Sequence, residues 1–133
     1  MAARDTRWIQ RFDHFKNAFQ TIEAVLPLFA QMTELEKDGL IQRFEITFDL
    51  SWKVMQDYLK EAGYADIKGP RACIKQMAQD NHLDGFYWEE MLNARNELSH
   101  VYDESGSRNY LDKIVNDYTP VFKAFSLKMA QKI

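Results

Sequence analysis

The chain is poor in the residues that staple, break or metallate a fold. A single cysteine, Cys73, excludes an intramolecular disulfide and fits a reducing cytoplasm. The three histidines, His14, His82 and His100, lack ligand-like spacing and Cys73 has no partner thiol, so no metal is expected. The five glycines are scattered and form no phosphate-cradling loop, so no cofactor is expected. Ser51 and Ser99 lack the turn context of an activated serine nucleophile. A basic excess is also missing. Against 17 Lys and Arg stand 20 Asp and Glu, for a net charge of −3, which argues against broad coating of a nucleic acid. Any phosphate contact must come from a local cluster. No stretch approaches the ~20 apolar residues needed to span a membrane. Arg4, Asp5 and Arg7 are followed by no apolar run, so no signal peptide is expected. No repeat, low-complexity tract or sustained period of two appears, which leaves an all-α chain forming one domain over residues 1–133.

Aromatic residues, in contrast, are plentiful: nine Phe, six Tyr and three Trp can fill a core, or a core plus an oligomer interface. Trp8, Phe12, Phe15, Phe19, Ile22 and Leu26 recur at steps of three and four, predicting an amphipathic helix from Arg4 to Leu26 that ends or kinks at Pro27. A second helix is expected from Glu34 to Ala62, closed by Gly63 in a left-handed cap. It carries a main stripe of Leu40, Phe44, Phe48, Met55, Tyr58 and Leu59, and a second of Ile46, Leu50 and Val54. A helix apolar on two sides is central to a bundle or shared with a second subunit. Pro70 opens a short helix to Gln79, with Ile74 and Met77 inward. A fourth runs from Phe86 to Ser99 with Trp88, Met91 and Leu92 on one face. Asp103 to Ser107 reads as a polar loop with Ser107 as N-cap, followed by a last helix with a kink at Pro120.

Arg95 is the most informative residue. With Trp88 at 0°, helical geometry places Met91 at about 300°, Leu92 at about 40° and Arg95 at about 340°. The guanidinium thus projects from the apolar face and requires a carboxylate, a cleft or a ligand phosphate. Glu45 and Asp49 are the candidate carboxylates. His100 follows about 140° round the helix, too far to converge with Arg95 on one small group. Either the helix unwinds near Ser99 or a second copy completes the site across a two-fold axis. Asn96 lies four residues before His100 and can touch its ring, although a histidine at a helix C-terminus also serves as a cap. Lys68, Arg71 and Lys75 form a small basic patch suited to a phosphate or an acidic partner.

The segment Ile41-Gln42-Arg43-Phe44-Glu45-Ile46-Thr47-Phe48-Asp49-Leu50-Ser51-Trp52-Lys53 resembles the central helix of the nucleotidyltransferase substrate-binding family. Gly69-Pro70-Arg71 and Trp88 through Tyr102 resemble the same family in order and spacing, so that the likeness covers nearly the whole chain. The resemblance implies a HEPN-like antiparallel four-helix bundle with an additional short helix. It also implies a homodimer encoded beside a separate minimal nucleotidyltransferase. The superfamily's Arg-polar-x3-His hallmark falls on Arg95, Asn96 and His100, and Tyr102 matches the further tyrosine of HEPN toxins. On that likeness Arg95 and His100 would cleave RNA without metal, Asn96 would support them, and Tyr102 would accept AMP from the partner. The alternative is a non-catalytic subunit that presents a nucleotidyl acceptor, and a plainer one is a helical interaction module. Ser105-Gly106-Ser107 is similar to the Gly-Ser signature of the nucleotidyltransferase itself, but no Asp-x-Asp pair follows to hold magnesium.

Overall fold

The computed structural model of the chain describes residues 7–98 and 104–133, the side chains of 104–108 excepted. The described backbone is helical with no strand: α1 (Arg7–Val25), α2 (Glu34–Glu61), α3 (Pro70–Gln79), α4 (Gly85–Leu98), α5 (Glu104–Lys113) and α6 (Thr119–Ala130). None of these helices is long and apolar enough to cross a membrane.

Local chemistry sets the ends. Pro27 lies in the first turn of a 3-10 segment, Leu26–Gln31, that takes the chain out of α1. Thr33 then opens α2 with a reciprocal cap. Its hydroxyl accepts from the Glu36 N–H at 3.2 Å while Glu36 accepts from the Thr33 N–H at 3.0 Å. At the other end Gly63 takes φ +107°. The N–H groups of Gly63 and Tyr64 donate to the Lys60 and Leu59 carbonyls, closing α2 as the glycine predicts. Asn81, at φ +64°, closes α3 in the same way, with His82 donating to the Met77 carbonyl.

α1 and α2 form an antiparallel pair, with Trp8 against Tyr58 and Arg11 against Asp57. Phe15 meets Phe125 and Phe19 meets Phe122, so α6 also runs antiparallel to α1. α4 lies beside the last helical run, with Trp88 on Phe125 at 5.2 Å and Glu90 bonded to Lys113. The short α3 packs between α2 and α4 through buried Cys73, Ile74 and Met77. These faces meet in one connected core in which the α1 stripe Trp8, Phe12, Phe15, Phe19 and Ile22 is fully enclosed. Edge-to-face, tilted and stacked ring pairs all contribute to it, each worth about 0.5–1.5 kcal/mol beyond area burial.

Two expectations change. The loop expected over Asp103 to Ser107 is already helical from Glu104, so Ser107 is not an N-cap. Once α5 is nucleated by its docking on α2 and α4, each residue added at its start fixes one more backbone bond, and polar residues do not prevent this. Where a kink is expected at Pro120, the helix carries a π-helical turn over Ile114–Tyr118 just before it. Proline has no N–H and its ring crowds the carbonyl four residues earlier. The widened turn relieves both, and the backbone N–H and the hydroxyl of Thr119 both donate to the Ile114 carbonyl, the latter at 2.7 Å.

Candidate functional site

The last turn of α4 carries Arg95 toward α2, where Glu45 and Asp49 stand one turn apart on the facing side. Asp49 accepts two parallel hydrogen bonds from the guanidinium, Nε to Oδ1 at 3.1 Å and Nη2 to Oδ2 at 3.0 Å. Nη1 lies 3.0 Å from Glu45 Oε2. The Arg95 side chain is 23% exposed, so its charge is partly withdrawn from water and the two carboxylates replace the lost solvation. The bidentate Asp49 contact raises the Arg95 pKa against the opposing effect of burial. Burial raises the Glu45 carboxyl above its usual range, with Arg95 pulling it back and Asp49 pushing it further. The carboxylate requirement read from the helical wheel is met by both residues named for it. The trio carries a net charge of −1, so an anion approaching Arg95 meets a guanidinium that is already neutralised.

Asn96 sits on the neighbouring, exposed face and opens into a different space. With Lys68, Pro70, Arg71, Lys75 and Leu92 it lines a cleft of about 480 Å³ between α3 and α4. The sequence patch is therefore a physical cleft, and a residue of the Arg–His segment forms part of its wall. α3 is set there by Gly69, whose φ of +84° makes the turn and whose N–H donates to Gln56 Oε1 at 2.9 Å. Arg71 is less free than its sequence position suggests, since it pairs with Glu89 at 2.5 Å and reaches Asn93 at 3.4 Å. Lys68 and Lys75 form no ion pair among the described residues. His100 and Tyr102 lie outside the described residues, as does the contact expected between Asn96 and His100.

Sequence reasoning missed a brace on the outer side of α4. Tyr118 donates to Glu90 at 3.3 Å, Lys113 pairs with the same carboxylate at 2.8 Å, and the Tyr110 hydroxyl bonds Glu97. The Lys113 bond lowers Glu90, while burial followed by Glu97 pushes the Tyr110 hydroxyl up to about 12. These bonds hold α4 against α5 and the π-helical turn that follows it, and so position the helix that carries Arg95. The signal was present as Glu90 and Glu97 on the polar face of α4, but their partners lie 13 to 28 residues away. Among the described residues no cluster of three or more His, Cys, Asp or Glu is arranged to hold a metal ion.

Set against known proteins, the chain matches a family model described as nucleotidyltransferase substrate binding protein like, over residues 10–131. No curated protein matches it.

Proposed function

The chain belongs to the nucleotidyltransferase substrate-binding family, and on that premise we propose that it is the HEPN-type, RNA-cleaving partner of a separate minimal nucleotidyltransferase. The observation that supports this reading is the meeting of Asn96 with Lys68 and Lys75 in one basic cleft next to a rigidly held Arg95. Two copies related by a two-fold axis bring two Arg95 and two His100 side chains together. The 2′-hydroxyl of the substrate attacks the adjacent phosphorus, forming the new P–O bond as the bond to the 5′-oxygen breaks. His100 takes the hydroxyl proton and a histidine returns one to the leaving oxygen, while Arg95 keeps its bidentate Asp49 pair and exchanges the single Glu45 contact for the phosphoryl oxygens, offsetting the charge that develops there. Asn96 orients the histidine. Silencing follows when the partner transfers AMP from ATP to the Tyr102 hydroxyl and releases pyrophosphate. Of the second stripe of α2, Val54 is buried in the core, while Ile46 is 47% exposed and Leu35 nearby is 81% exposed, which supports a shared face at the N-terminal half of that stripe. Both lie with Leu50 within an arc of about 60°.

A second reading has its own observation. Arg95 already satisfies two carboxylates, as a structural residue would, and this favours a subunit that only presents a nucleotidyl acceptor. One assay separates the two. Cleavage of RNA in EDTA, lost in both Arg95→Ala and His100→Ala with helicity intact, establishes the nuclease. Wild-type protein that binds its partner and leaves RNA whole establishes the presenting subunit.

A further inference from the structure

A second cavity, of about 310 Å³, lies where the start of α1 meets the end of α2. Arg7, Arg11 and Lys60 line it together with Lys68, and Lys68 also lines the cleft that holds Asn96. The two spaces therefore adjoin through one lysine. With Arg71 and Lys75 they gather six of the chain's 17 Lys and Arg, while Asp57 is the one carboxylate among the lining residues. Arg11 pairs with Asp57 and Arg71 with Glu89, but Lys60, Lys68 and Lys75 form no ion pair among the described residues. On a molecule of net charge −3, Lys60, Lys68 and Lys75 thus give this face a local excess of positive charge. Tyr64 adds an aromatic surface to the second cavity. Its hydroxyl donates to Asp80 at 2.8 Å and accepts from Gln76 at 3.1 Å, which holds the ring in place.

We propose that the two cavities form one cationic track for the phosphodiester backbone of a single-stranded RNA, running from Arg7 and Lys60 past Lys68 to Asn96. The inference rests on the RNA-cleavage reading above. Cations that follow a path, with an aromatic ring beside them, are what sequence-tolerant binding of a single strand requires. Two small clefts joined at a lysine suit a flexible strand. Lys60 and Lys68 neutralise phosphates away from the scissile one and release their counterions, and Tyr64 stacks one base.

The test is fluorescence anisotropy with the full chain and a labelled 2′-O-methyl RNA 12-mer, which binds without being cut. Lys60→Gln should weaken binding about fivefold at 0.1 M salt, and should lower the slope of log K against log salt by about 0.7, the value for one counterion on a single strand. Lys123→Gln, an exposed lysine of α6, serves as the charge-matched control and should change neither quantity. If Lys60→Gln and Lys68→Gln both bind the 12-mer as the wild type does, the track is overturned even where EDTA-resistant cleavage persists. It is equally overturned if Lys60→Gln disrupts binding of the partner nucleotidyltransferase and leaves RNA binding intact. Absence of any cleavage by the wild type instead removes the reading on which the track rests.

Discussion

At the scale of single residues the chain concentrates its electrostatic cost in Glu45, Asp49 and Arg95. Removing the guanidinium leaves two partly desolvated carboxylates facing each other. Arg95→Ala is expected to cost about 1–2 kcal/mol by urea unfolding at pH 7, between the values for exposed and buried pairs. The deficit should shrink at acid pH. Glu45 has a raised pKa in the folded state, so its protonated form favours folding below the ordinary carboxylate range, and that contribution is lost as pH rises through the folded value. Without Arg95 the folded pKa rises further, so a deficit as large at pH 4 as at pH 7 would contradict the account. His82 works in the opposite direction. Burial, with Lys132 and Lys128 nearby, lowers its pKa from 6.5. The neutral ring is stabilising above 6.5, and that stability is lost as pH falls through the window down to the lowered folded value. His82→Gln should therefore flatten the loss of thermal stability between pH 7 and pH 5. The carboxylate partners of Arg95 were legible because an apolar helix face permits few solutions to a buried charge. The brace from Glu90 and Glu97 was not, because a glutamate on the polar face of a helix carries no local mark of a distant partner.

At the scale of elements, periodicity and punctuation located the starts and ends of α2 and α3 to within a residue. Capping residues act on neighbouring backbone, so their information is local. The reciprocal bonds of Thr33 and Glu36 give a direct check. Thr33→Ala should lower stability by about 1 kcal/mol, read as a shift of the denaturant midpoint at constant slope. Where helix formation depends on propagation from an already docked turn, the local reading failed. Residues 104–107 look like a loop by composition and are helical because α5 is held at its other end. The π-helical turn before Pro120 is a similar case. Proline announces a disturbance, and the partner that resolves it, Thr119 on the Ile114 carbonyl, is visible only in the folded helix.

At the scale of the molecule, the stripes of α1, α4 and α6 converge on one aromatic core, while α2 keeps Ile46 and Leu35 toward solvent. If that face joins two copies, sedimentation at micromolar concentration gives a dimer for the wild type and a monomer for Ile46→Lys, with unchanged helicity. A wild-type monomer would remove the two-chain site. The sequence alone determined the helical class, the inward stripes, the cap at Gly63, and the need of Arg95 for a partner. These follow from the 3.6-residue period and from bonds between near neighbours. Only the tertiary structure decided that Glu45 and Asp49 share that partner, that Asn96 opens into the basic patch, and that Arg7, Arg11 and Lys60 adjoin it through Lys68. Those residues lie on different helices, and only the packing of the core brings their charges within reach of one another.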